Sequence, residues 1–362
     1  MTSNHPDGIV LGQNQYGKAG VRLVRVDRSA PRHRLSDLSV TSQLRGDFTL
    51  THTEGDNAAV VTTDTQKNTV FALAQGGIGS PEEFGIRLAE HFTSSFDWVT
   101  GGRWAIESYT WDHIPSTRSA NVSTGAHDHS FVKAGTETRT ALVSRDGPEV
   151  HVFGGLQDLS VLKTTGSEFH GFPRDRFTTL AQTRDRILAT AVSARWRYLP
   201  DRVTHDGVAP CGGVVGSDIP EPDEVGIGAP RRGAPEGGAP GDVGGGAPDR
   251  DDGDAGRDYN AIYDEVRRLL LETFADVHSL ALQQTLYEMG RAVLTGFPQI
   301  AEIRLSMPNL HHFLVDFEPF GLENPDEIYF AADRPYGLIE AEVRRDSVPP
   351  DPQAWASVNG FS

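Results

Sequence analysis

The chain has 362 residues, 37% hydrophobic and 23% charged, enough for one large or two ordinary domains with a sizeable core. Its 50 acidic against 33 basic residues give a formal charge of −17, which argues against a protein that grips nucleic acid or anionic lipid through a basic patch. The one cysteine, Cys211, excludes an intrachain disulfide, and no run of 18 apolar residues occurs, so the expectation is a prokaryotic cytoplasmic protein without membrane contact.

Residues 1–13 read as a flexible polar N-terminus with no apolar core of signal-peptide length. Apolar and polar side chains alternate from Gly20 to Val26 and, less regularly, from Leu38 to Leu44, predicting two opening strands. Ala59–Thr63 is a short apolar run, read as a strand that ends where a helix from about Thr65 to Ala74 begins. A second helix opens at Ser80-Pro81-Glu82-Glu83, which combines an N-cap serine, proline at the first helical position and a glutamate placed to close a capping box. Strand periodicity returns at Arg103–Trp111 and from Ser130 to Val143.

The second half repeats this order. Glu149–Phe153 and Arg186–Tyr198 read as strands, with Arg186 opening the second. An insert at 203–258 follows, with 15 Gly, 7 Pro and 12 acidic against 4 basic residues, and with Gly-Ala-Pro recurring at Gly228, Gly233, Gly238 and Gly246. Such a composition cannot offset chain entropy and predicts a disordered, solvated loop. Tyr259–Leu294 is amphipathic and reads as two helices broken at His278-Ser279. Ile303–Ser306 and Phe313–Phe317 are expected to close the chain as two strands, with Asn309 and His311 in the turn between them. The fold class is therefore α+β, two similar halves (14–146 and 147–345), each an antiparallel sheet covered by two helices, followed by a tail at 346–362. The chain ends Asn359-Gly360-Phe361-Ser362, which is no peroxisomal address.

Chemistry concentrates in the run Leu159-Ser-Val-Leu-Lys163-Thr-Thr-Gly-Ser-Glu-Phe169-His-Gly-Phe172, continuing through Phe177, Leu180 and Arg186. This run closely resembles the signature of the urate oxidase (uricase) family. The resemblance extends from about Lys18 to Arg345, apart from the insert, through Tyr16-Gly17-Lys18, Thr62–Thr69, Gln283–Tyr287 and Pro308–His311. It implies a tunnelling fold in which sheets of several subunits close into a barrel, a homotetramer with sites between subunits, and oxidation of urate by O2 and water to 5-hydroxyisourate and hydrogen peroxide without metal or organic cofactor.

Each matched residue has a plain reading beside the implied one. Lys18 is one of only four lysines against 29 arginines; it is either a surface cation or, since lysine alone of the two is neutralised by burial, a proton carrier. The resemblance pairs it with Thr63 and completes the relay with His311. Thr63 and Asp64 suit an ordinary N-cap, and equally an anion site, because free N–H groups at a helix start point at whatever lies in front; the resemblance turns the Thr63 hydroxyl and the Asp64 N–H toward the purine. Phe169 is core or a stacking platform. Arg186 is a surface ion-pair partner or a fork for two neighbouring acceptors on an anionic purine. Gln283 reads alone as an exposed helix residue; the resemblance assigns its amide to the opposite purine edge, the Leu282 backbone to a neighbouring contact, and Asn309 to the oxygen or water site. His127-Asp128-His129 has metal-like spacing without further ligands, and no metal is expected. Two rivals are a pterin or purine enzyme of the cyclohydrolase type, which requires His and Cys zinc ligands, and a non-catalytic purine-binding homologue.

Overall fold

In the computed structural model, which describes residues 9–117, 122–123, 125–200, 257–356 and 358, the chain runs as β1 (Tyr16–Asp27), β2 (Arg34–Gly46), α1 (Thr49–Glu54), α2 (Thr63–Gln75), α3 (Pro81–Ser95), β3 (Val99–Pro115), β4 (Val122–Ser123), β5 (Ala126–Asp146), β6 (Glu149–Lys163) and β7 (Leu188–Tyr198). It continues as α4 (Tyr259–Asp276), α5 (Leu282–Gly296), β8 (Ile300–Leu314), β9 (Tyr329–Arg344) and α6 (Pro352–Ala356). Nearly all of the expected 203–258 insert, with Cys211, lies outside the described residues, as do residues 1–8 and 359–362 of the two termini. Asp258 does not belong to the insert: its carboxylate caps α4 by accepting from the N–H groups of Asn260 (3.0 Å) and Ala261 (2.9 Å).

The strands form one antiparallel sheet in the order β1-β2-β3-β5-β6-β7-β8-β9, with β4 paired to β5. Period-2 alternation decides its two faces. Trp104 and Ile106 of β3 pack with Phe84, Leu88 and Phe92 of α3. Trp196, Ile303 and Leu305 of β7 and β8 pack with Val266 and Leu270 of α4 and Leu286 of α5. Ile86 and Val152 touch both cores, so the two helix pairs cover one continuous face. On the opposite face α6 sets Ala354 and Trp355 against Leu142 and Phe153. There the Trp355 indole and the Arg197 guanidinium, the latter at 2.8 Å, both donate to buried Glu302 Oε1.

The capping box forms as expected: Ser80 Oγ accepts from Glu83 N, and Glu83 Oε2 accepts from Ser80 N at 2.7 Å. Three expectations are corrected. Ala59–Thr63 is not a strand, because Asp56 and Asn57 fold the chain into a turn, through Ala58 N to Asp56 Oδ1 at 2.9 Å and Val60 N to Asn57 O at 3.0 Å. Ile303–Ser306 and the first part of Phe313–Phe317 belong to the single strand β8, while the second closing strand is Tyr329–Arg344. Pro308 does not break β8: it lies opposite Leu338 of β9, while the ladder to β7 passes from Ser306 to Asn309 without pairing Met307 or Pro308. Arg186 precedes β7 instead of opening it.

Where the halves meet, Glu82 of α3 is fully buried and its Oε2 lies 2.7 Å from Arg139 Nη2 of β5. The same guanidinium donates to Asn260 Oδ1 (2.7 Å) and Tyr259 O (3.2 Å) at the start of α4. Burial pushes the Glu82 carboxyl above its usual range, and the Arg139 charge pulls it back down. Breaking one side of such a pair leaves a buried uncompensated charge. Arg139→Met is therefore expected to lower unfolding free energy by about 3–5 kcal/mol, and Glu82→Gln combined with Arg139→Met by clearly less. Urea denaturation at one fixed protein concentration checks both values.

Candidate functional site

The matched residues fall into two groups set by the sheet. The first is built on β1, β2 and α2. Lys18 is half-buried beside Ser42, and the β1–β2 ladder breaks after it, resuming only at Val21; Gly20 sits in this break with φ of 65°. Tyr16 OH donates to Val61 O at 3.1 Å, and Ser42 Oγ donates to the buried Gln66 Oε1 at 3.0 Å. These two bonds hold the start of α2 over the strands that carry Lys18. The helix is capped one residue earlier than expected, by Thr62, whose hydroxyl accepts from Thr65 N at 3.0 Å. Thr63 and Asp64 are thus the first two helical residues, whose N–H groups have no partner within the helix. The Asp64 side chain is exposed and bound by Lys67 Nζ (2.5 Å) and Asn68 Nδ2 (2.9 Å). Its carboxyl is held below the usual range chiefly by Lys67, with a smaller pull from Lys18, which marks Lys18 as a neighbour of this helix start.

The second group is built on the loop between β6 and β7. Lys163, last in β6, is not part of the site: its Nζ reaches Val277 O (2.5 Å) and Phe274 O (3.3 Å) and ties down the C-terminus of α4. Two backbone bonds then join the loop to the α4–α5 connection, Ser279 N to Gly166 O at 2.9 Å and Glu168 N to Ser279 O at 2.8 Å. Phe169 exchanges both backbone bonds with Thr183, at 2.9 and 3.0 Å. Asp185 accepts from Thr165 Oγ1 (2.8 Å) and Gly166 N (3.1 Å). This closes the loop so that the Arg186 guanidinium lies 5.3 Å from the centroid of the Phe169 ring. Arg186 Nε is buried without a hydrogen-bond partner, a donor that needs an acceptor.

His311 lies within range of the Arg186 charge. Asn309 and His311 lie inside β8, not in a turn; Asn309 pairs with Thr190 and Gly337, and the β9 register then skips to Ala332 opposite His311. Burial first, then the charges of Arg186 and His312, push the His311 imidazole below its ordinary pKa, so it is neutral at pH 7. On the other flank α5 begins at Leu282 with no side-chain cap on Ala281, leaving its first N–H groups free. Leu282 is buried, and Gln283 is exposed at this helix start. The structure therefore brings Phe169 and Arg186 together, leaves His311 near enough to feel the Arg186 charge, and sets Leu282 and Gln283 on the connection bonded to the same loop. Lys18, Thr63 and Asp64 form a separate group. Six inter-strand steps separate β1 from β8 in the sheet order, roughly 29 Å along the sheet at ~4.8 Å per step.

Asp185 and Ser279, which shape the loop, were not singled out by sequence reasoning. Neither carries a motif of its own, and only adjacency to Arg186 and to the helix break marks them. His129 is turned to Pro31 O (Nε2 at 3.1 Å) and His127 Nδ1 accepts from His129 N (3.1 Å). Among the described residues, no three or more His, Cys, Asp or Glu side chains are disposed to hold a metal ion.

A family model described as Uricase matches residues 14–144 and 152–340. A curated protein named Uricase from Arthrobacter globiformis is 49% identical over 353 residues, spanning 98% of this chain and 96% of its own. Another from Dictyostelium discoideum is 31% identical over 339 residues, spanning 92% and 97%. The crystal structure of the Arthrobacter globiformis uricase matches with a TM-score of 0.75 at 49% identity, covering 95% of this chain and 97% of that one. A urate oxidase structure from Bacillus sp. TB-90, at 20% identity and TM-score 0.66, shares the fold.

Burial and a neighbouring cation both disfavour imidazolium, so the His311 ring is expected to titrate below the ordinary value of about 6.5. Removing the Arg186 charge as Arg186→Gln is expected to move the midpoint up. NMR titration of ring-labelled histidine in both proteins measures the two midpoints.

Proposed function

The chain belongs to the uricase family, and from that premise we propose that it oxidises urate with O2 and water to 5-hydroxyisourate and hydrogen peroxide, with no metal or organic cofactor. The observation that carries this reading is the group of Phe169, Arg186 and His311. It offers a ring for a flat heteroaromatic to stack on, a guanidinium with an unpartnered buried donor for an anion, and an imidazole that the Arg186 charge helps keep neutral.

Urate is a monoanion at neutral pH, and its dianion is the better electron donor, so proton removal precedes electron transfer. Two electrons pass from the purine to O2, which takes up two protons to leave as hydrogen peroxide, while water adds its oxygen to the purine as the 5-hydroxyl. In this reading Phe169 stacks on the purine and the Arg186 fork binds two adjacent acceptors. The Gln283 amide and the Leu282 N–H meet the opposite edge. Asn309 holds the oxygen or water site, and His311, Thr63 and Lys18 move protons. The Asp64 N–H adds a donor from the start of α2.

The two residue groups belong to different halves of the chain, 14–146 and 147–345, and six inter-strand steps divide β1 from β8. We place the complete site between subunits: the β1 edge of one copy pairs with the β9 edge of the next, sheets close into a barrel, and a homotetramer results. This unites Lys18, Thr63 and Asp64 of one chain with Phe169, Arg186 and His311 of another. No helix among the described residues is long and apolar enough to cross a membrane. The lack of any intrachain disulfide supports a cytoplasmic site of action.

Chelator-treated protein is expected to remove the near-ultraviolet absorbance of urate and release one peroxide per urate; no turnover at any pH refutes the activity. Lys18→Met is expected to keep urate binding, measured without oxygen, and to lose turnover by about 10²–10⁴-fold. Mixing Lys18→Met and Arg186→Gln chains, unfolded and reassembled together, is expected to restore about a quarter of wild-type activity if sites are shared between randomly assorted chains. If each site is made by one chain, the mixture stays inactive.

A further inference from the structure

Glu168, next to Phe169, has not figured in the site so far. Its side chain is only 13% exposed, and it bridges two histidines on separate elements. Glu168 Oε1 accepts from His278 Nε2 at 2.7 Å, and Oε2 accepts from His170 Nε2 at 2.7 Å. The third charged group facing it is Arg184, with Nη1 3.8 Å from Oε2. His278 belongs to the α4–α5 connection, immediately before Ser279, whose carbonyl accepts the Glu168 N–H. Glu168 therefore grips that connection twice, through its backbone and through its carboxylate, while its other oxygen holds the residue on the far side of Phe169.

We infer that Glu168 is a positioning residue for the purine site, a carboxylate clamp that locks the Phe169 ring against the start of α5 by binding His278 and His170 at once. The inference rests on the proposed urate oxidase reading. The linkage is short: Phe169 follows Glu168 in the chain, and Leu282 and Gln283 follow His278 by four and five residues. A flat substrate stacked on Phe169 while touching Gln283 needs these two pieces at a fixed separation. Across that gap the chain supplies two backbone bonds, Ser279 N to Gly166 O and Glu168 N to Ser279 O, together with the buried Thr285 Oγ1 to Ser279 Oγ bond at 2.8 Å. The Glu168 carboxylate adds the side-chain link that reaches both flanks of the ring. The hydrogen bonds of His278 and His170 hold its carboxyl below the ordinary range, so it stays ionised wherever the enzyme works and accepts from both rings.

The clamp acts on substrate placement and not on proton transfer, which sets the kinetic signature. Glu168→Ala is expected to raise KM for urate, and Kd for urate measured without oxygen, about tenfold, with kcat changed less than about threefold. Glu168→Gln keeps an acceptor and the same length and is expected to recover most of the loss. His278→Ala, at a largely exposed ring, is expected to raise KM about threefold. In a Phe169→Ala background, adding Glu168→Ala is expected to change KM little, because the clamp acts through the ring it holds. Wild-type KM in Glu168→Ala and His278→Ala, or full additivity with Phe169→Ala, overturns the inference. A wild-type protein that does not oxidise urate overturns the activity reading instead, and the two failures are told apart before any variant is made.

Discussion

An open antiparallel sheet has two unpaired edges, and the arrangement of this molecule follows from that constraint. Each strand pairs with the next in the sheet order from β1 to β9, with β5 and β6 pairing across the junction of the two halves. The helix pairs cover one face and the Glu82–Arg139 pair ties α3, β5 and the start of α4 together. Neither device satisfies the outer N–H and C=O groups of β1 and β9. Exposed apolar side chains accumulate toward the second edge, where Phe330 is 64% and Leu338 61% exposed. Long flat apolar edges invite pairing with another chain. The same geometry leaves the Lys18 group on one edge strand and the Arg186 group near the other, so edge pairing between copies would satisfy the backbone and assemble the proposed site in a single step.

Each group is fixed from behind by bonds that have no chemistry of their own. Tyr16 and Gln66 hold α2 over β1 and β2, and Lys163, Asp185 and Ser279 hold the β6–β7 loop. Three of the four lysines have separate placements. Lys18 stands in the site group, Lys67 binds Asp64, and Lys163 closes a helix end. A compact ammonium on a flexible stem reaches two converging carbonyls more readily than a planar fork does.

Much of the fold was legible because strong local signals coincide with tertiary packing. Ser80 to Glu83 shows its capping box in the sequence, and the alternation around Trp104 and Trp196 marks faces that are in fact covered by helices. The failures have equally local causes. Helix α1 buries no residue, so it carries no apolar period to detect. Asn309 and His311 read as a turn, whereas β8 continues through Pro308, which is opposite Leu338 of β9 and unpaired on β7. Ala59–Thr63 is apolar because Val61 is buried, not because it is paired. In the candidate site, the family resemblance points to Phe169, Arg186 and His311, whereas the contact between Phe169 and Arg186 is a product of the folded loop. The charge state of His311 depends on Arg186, a residue far away in the chain.

That dependence bears on how a reaction without a cofactor could be run by ordinary side chains. An anionic substrate calls for a permanent positive charge, and its further deprotonation calls for a base that is not itself already protonated. Two cations in one pocket would fail the second need. Burial separates them, because it weakens the charged form of both Arg186 and His311 while their starting points differ by several pKa units. The guanidinium begins so high that it keeps its charge, whereas the imidazole begins near neutrality and loses its proton. The Arg186 charge then pushes His311 further in the same direction. A lysine in place of Arg186 would be open to neutralisation by the same burial and would give up the distinction. Partial burial thus favours a fixed cation at Arg186 and a free base at His311, the division of labour that the proposed oxidation of a urate dianion would use.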